Sequence, residues 1–184
     1  GGPGGGGSGA EAAHLKEMRK VLSVVKDQHR QIEGGQMGAD DLSAMAAALA
    51  GANLKLRTTQ ALVNQAGTAP TAENAVSPAG IEKMDGVAKE IEVPLREIDM
   101  ALTVGADELP PTEAGKVQGA VGTLEGTVKQ LRADLGQLKE VGHHQQQLPT
   151  KDTYGSDSPP ALAEMQGVRD VLVEANPVPI EAVV

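Results

Sequence analysis

The residue types best suited to acid–base work or metal ligation near neutral pH are scarce in this chain, which has four histidines and no cysteine. Two histidines adjoin, His143-His144. A zinc site needs three or four converging donors, and no carboxylate stands near the pair at the spacing of a His-Glu-x-x-His helix. The pair is therefore expected in a solvated loop, and no metal ligand is predicted. His29 falls on an apolar helical stripe and is expected to be a half-buried structural histidine rather than a general base. Ser23, Ser43 and the threonines lie in no Gly-x-Ser-x-Gly or other activating setting. The opening glycines lack the lysine, the following Ser/Thr and the preceding strand of a phosphate loop. No catalytic residue, no cofactor of the chain's own and no enzymatic activity are expected.

One electrostatic feature remains. Lys16, Arg19, Lys20, Lys26 and Arg30 fall within roughly 120° of a helical wheel, turned away from the apolar stripe, with Asp27 as the one acid among them. Residues 14–30 carry five basic and two acidic groups, whereas residues 152–184 carry one and six. These five cations are the candidate partner-docking residues, set against the alternative of an ordinary solvated helix face. Complementary charge orients encounter and fixes register with an acidic partner.

The elements that position these residues follow from hydrophobic spacing. From Glu11 to Glu33, Leu15, Met18, Leu22, Val25 and Ile32 share one face of a helix that Gly34-Gly35 ends. Asp40-Asp41 favour a helix start, and Leu42, Met45, Leu49, Leu56 and Val63 carry the second stripe to about Ala66. Ser77-Pro78 supplies an N-cap and a first-turn proline. Ile81, Met84, Ala88, Ile91, Leu95, Ile98 and Leu102 follow, with a kink expected at Pro94.

The fourth stripe is the clearest: Val117, Val121, Leu124, Val128, Leu131, Leu135 and Leu138, over about Thr112 to Val141. Gly115, Gly119, Gly122 and Gly126 interrupt it, each costing roughly 0.5–1 kcal/mol against alanine, a cost that is tolerable if neighbouring backbones approach closely there. An irregular connection over 142–157 and a short fifth helix over 158–176 complete the expectation, with Pro177 and Pro179 leaving an extended end.

The 184 residues suit one domain, but with one tyrosine and neither phenylalanine nor tryptophan the core must be built from aliphatic side chains. A net charge of −9 argues against a chain-wide nucleic-acid surface. No apolar run approaches the roughly 20 residues needed to span a bilayer, so a soluble or peripheral protein is expected. The glycine-rich start resembles neither a signal nor a transit peptide and carries no initiator methionine, so a processed or trimmed chain is expected.

Three runs follow in order between Leu15 and Leu131: Val21-Leu22-Ser23-Val24-Val25-Lys26-Asp27, then Asn53-Leu54-Lys55-Leu56-Arg57 leading to Ala61-Leu62-Val63, then Leu95-Arg96-Glu97-Ile98-Asp99-Met100-Ala101-Leu102 followed by Pro111-Thr112-Glu113-Ala114 and the helix to Leu131. In these runs and their order the chain resembles the PsbQ family of extrinsic photosystem II subunits. The family's tryptophans and tyrosines are missing, Leu131-Arg132-Ala133-Asp134-Leu135 lies later than the family's similar signature, and residues 142–184 have no counterpart in it.

The four apolar stripes predict an all-α, mostly antiparallel four-helix bundle over 11–141, between a flexible glycine-rich tail over 1–10 and a C-terminal extension over 142–184 that carries the short fifth helix. The resemblance implies a PsbQ-like up-down order for the bundle. It implies a non-catalytic structural subunit in the thylakoid lumen of a chloroplast. Its partners would be the photosystem II core and other extrinsic subunits, where it supports the calcium and chloride of the oxygen-evolving centre. The alternative is a helical adaptor or secretion-linked protein that forms coiled-coil-type oligomers.

Overall fold

The computed structural model describes residues 9–147, and their side chains as far as 142. All of the regular structure among these residues is helical: α1 (Gly9–Glu33), α2 (Ala39–Thr68), α3 (Pro78–Val104) and α4 (Pro111–Gln147). The helix ends follow from local chemistry. Gly34 donates its N–H to the Arg30 carbonyl at 2.9 Å, and Gly35 takes a φ of 139°, a backbone state that a side chain would strain. Asp41 accepts the Gly38 N–H at 3.1 Å to open α2, and Ser77 Oγ accepts the Gly80 N–H at 3.0 Å to open α3, with Pro78 in its first turn as expected.

Every stripe residue named from the sequence on α1, α2 and α3 is buried, as are all those on α4 except Leu138, which packs half-buried against the core. Burial on α3 and α4 repeats every seven residues, the period of two helices meshing along a common seam. Met18, Met45 and Met84 join leucines and isoleucines among the largest fully buried side chains, so flexible thioethers fill space that aromatic rings occupy in most cores.

Polar contacts give the helix directions. Glu11 meets Ser77 and His29 meets Glu97, so α1 and α3 run parallel and side by side. Asn53 meets Thr127 and Gln60 meets Asp134, so α2 and α4 also run parallel. Lys139 meets Glu82 and Arg132 meets Glu92, which makes α3 and α4 antiparallel. The chain alternates direction at each turn, while α1 packs on both α2 and α3. The connection from α2 to α3 crosses to the far side of α1, and it is held by its own bonds: Asn74 Oδ1 accepts the Thr71 N–H at 2.8 Å and Asn74 Nδ2 donates to the Ala69 carbonyl at 3.1 Å.

Three expectations need correction or refinement. The glycines of α4 are not sites of close approach, because a Cβ added at Gly115, Gly119, Gly122 or Gly126 would meet nothing within 4 Å. The segment from Gly142 to Gln147 is helical rather than irregular, so His143-His144 lies on the last turns of α4 and not in a loop. Gly142 alone costs only about 1 kcal/mol, and no helix breaker follows until Pro149. Helix α1 starts at Gly9, slightly inside the expected tail. Pro94 is buried within an α3 that continues past it to Val104. The expected helix over 158–176, the extended end and the first glycines lie outside the described residues.

Candidate docking face

Helix α1 buries Leu15, Met18, Val21, Leu22, Val25 and Ile32 against its neighbours, which turns the opposite arc outward. Lys16, Arg19, Lys20, Lys26 and Arg30 are all exposed on that arc. From Lys16 to Arg30 the arc covers about 21 Å of helix at 1.5 Å per residue.

Two of its cations are paired locally, Lys20 with Glu17 at 3.2 Å and Arg30 with Asp27. Lys16, Arg19 and Lys26 have no ion-pair partner among the described residues. The hydrogen bond from Lys20 holds the Glu17 carboxyl below the usual glutamate range. The charges of Lys20, Lys55 and Lys16 add to that effect, and partial loss of hydration opposes it. Glu17 is thus a single acid in a cationic surround. Lys55, on α2, reaches Glu17 at 3.8 Å and extends the basic surface onto a second helix. No spacing rule in the sequence joins Lys55 to the arc, because the antiparallel register of α1 and α2 alone brings it there.

Histidine chemistry divides between two places. His29 is half-buried as expected, and it faces α3, with Nε2 at 3.0 Å from Glu97 Oε1 and 3.1 Å from Glu33 Oε2. Neither contact has good hydrogen-bond geometry, so Nε2 is buried without a proper partner. These three residues are the described group able to hold a metal ion. His14, not singled out by the sequence, is buried at 4% exposure with its Nε2 unpartnered. Desolvation lowers its pKa from 6.5, against a smaller opposing effect of the Glu11 charge, so the ring is held neutral. It lines an open depression with Ala10, Ala13, Lys55, Thr59 and Leu62.

Two polar clasps between α2 and α4, one buried and one partly buried, have no signal in the sequence either. Thr127 Oγ1 donates to Asn53 Oδ1 at 2.6 Å, and Asp134 accepts from Gln60 at 2.6 Å, Gln130 at 3.1 Å and Asn64 at 3.5 Å. On the other flank of α4, Arg132 donates to Asp85 at 3.0 Å and to Glu92 at 3.3 Å, which holds the guanidinium in its charged form. These clasps set the register of α4 against α2 and α3. They touch no cavity with converging reactive groups.

Ser23 and Ser43 are exposed on helix surfaces. No helix among the described residues is long and apolar enough to cross a membrane. Comparison of the chain with known protein families, with curated proteins and with solved structures finds no match.

Proposed function

We propose that this protein is a non-catalytic docking module that binds an acidic protein surface through the outward arc of α1. The observation that carries the reading is the row of exposed Lys16, Arg19 and Lys26, unpaired among the described residues and continued by Lys55 on α2. Such a row steers encounter with an acidic surface and sets its register. The resemblance to the PsbQ family gives the partner a specific form, the lumenal face of photosystem II with its other extrinsic subunits, in the thylakoid lumen. There the chain acts as a strut that helps retain calcium and chloride, and the metal chemistry belongs to the core complex. Salt-washed photosystem II membranes test this form. Saturable rebinding at low salt that weakens as salt rises supports it, and absence of binding at low salt contradicts it.

A second reading is an adaptor that assembles with copies of itself. Leu54 and Leu62 on α2, and Met100 and Val104 on α3, are exposed apolar side chains. Sedimentation equilibrium separates the two readings, because a concentration-independent monomer contradicts self-assembly.

A further inference from the structure

We propose that His29, Glu33 and Glu97 form a zinc-type divalent-cation site that ties the last turns of α1 to α3. His29 and Glu33 stand four residues apart on α1, which places both side chains on one helix face. Glu97 reaches the same point from α3. The three donor atoms all lie within 4.8 Å of one another, with the imidazole Nε2 at 3.1 Å from Glu33 Oε2 and 3.0 Å from Glu97 Oε1.

The distances suit a small cation. Nitrogen and oxygen ligands at about 2.0–2.1 Å from tetrahedral zinc stand about 3.3–3.4 Å from each other. The observed 3.0 and 3.1 Å separations need open by only a few tenths of an ångström to admit the ion. The Glu33 and Glu97 side chains are 63% and 49% exposed, so they can make that adjustment, and water can fill a fourth position.

The charge and the bonding also point to a cation. Two carboxylates converge here, and among the described residues neither has a lysine or arginine within ion-pair range. The buried Nε2 lies near both oxygens yet is satisfied by neither, an arrangement that a metal ion held among the three atoms would complete. A nitrogen donor selects zinc-like ions over magnesium or calcium, which favour oxygen alone.

Because the ligands come from positions 68 residues apart, as 97 minus 29, the complete site exists only in the folded chain. Binding therefore stabilises the fold. It acts as a clasp at the end of α1 opposite Glu11 and Ser77.

The test is thermal unfolding of the full chain with zinc chloride, magnesium chloride or chelator, alongside calorimetric titration. Zinc a hundredfold above its Kd is expected to raise Tm by about 5–10 °C, with one ion bound per chain. Glu97→Gln and His29→Gln should each weaken zinc affinity at least about tenfold, and the zinc-dependent shift is compared within each variant, so a change in its zinc-free Tm does not matter. The double variant His143→Gln, His144→Gln should bind as the parent does. The proposal is overturned if the parent binds no zinc, if magnesium gives the same shift, if Glu97→Gln or His29→Gln binds zinc as tightly as the parent, or if the double histidine variant loses binding.

Discussion

Glu11 Oε1 accepts the backbone N–H of Ser77 at 2.8 Å, so the first turn of α1 caps the first turn of α3. A carboxylate there satisfies an orphan donor and faces the positive end of the α3 dipole. Gly80 makes room for it, since a Cβ at that position would collide with the Glu11 carboxyl. Glu11→Ala is expected to cost about 1 kcal/mol in urea unfolding, and Gly80→Ala no more than about 1 kcal/mol, because the carboxyl at the end of a flexible side chain can swing aside at the cost of its bond to Ser77. The double variant should lose less than the sum, because removing Glu11 removes the clash. Additive losses contradict the contact.

The exposed glycines of α4 should be improvable. With nothing within 4 Å of an added Cβ at Gly115, Gly122 and Gly126, alanine adds no strain and restricts the unfolded chain. Each substitution is expected to stabilise by about 0.5–1 kcal/mol, read from the urea midpoint. A loss of stability shows that a neighbour occupies that space.

His14 predicts a pH dependence with a definite sign. Its folded-state pKa is lowered from 6.5 by burial, so the unfolded chain binds the proton first as pH falls. Stability from this group is complete above about pH 6.5 and declines below it, down to the folded-state pKa. His14→Leu removes the titration and the unpartnered Nε2. The variant's advantage over the parent should therefore grow between pH 7.5 and pH 5.5 in paired urea titrations. An advantage that is constant or shrinks across that interval rules out a neutral buried ring.

Arg132→Ala is expected to cost about 1 kcal/mol, since the bridge to Asp85 and Glu92 is partly exposed and screened. Arg132→Lys should recover only part of this, because a single ammonium cannot reproduce the fork that reaches both carboxylates. Full recovery by lysine shows that charge alone matters there.

Much of the bundle was legible because a period near 3.6 marks which face of a helix goes inside. Val117 to Leu135, Ile81 to Leu102 and Leu15 to Ile32 bury the stripes their spacing indicates. The same spacing is silent on which helix lies beside which, so the parallel contact of α1 with α3, and with it the meeting of His29 and Glu97, could not be read. Lys55 beside Glu17 and the clasp at Asp134 depend on that same register. The α4 glycines misled for a related reason: composition shows a missing side chain but not whether a neighbour or solvent fills its place.

The docking arc itself is tested by charge reversal at Lys16, Arg19 and Lys26, whose side chains are exposed and form no ion pair among the described residues, so the fold should be untouched. Binding of this triple glutamate variant to salt-washed photosystem II membranes is measured beside the parent chain at low and moderate salt. The account predicts at least about a tenfold loss of affinity and a flatter salt dependence, with helix content unchanged. Binding equal to the parent's at both salt concentrations contradicts it.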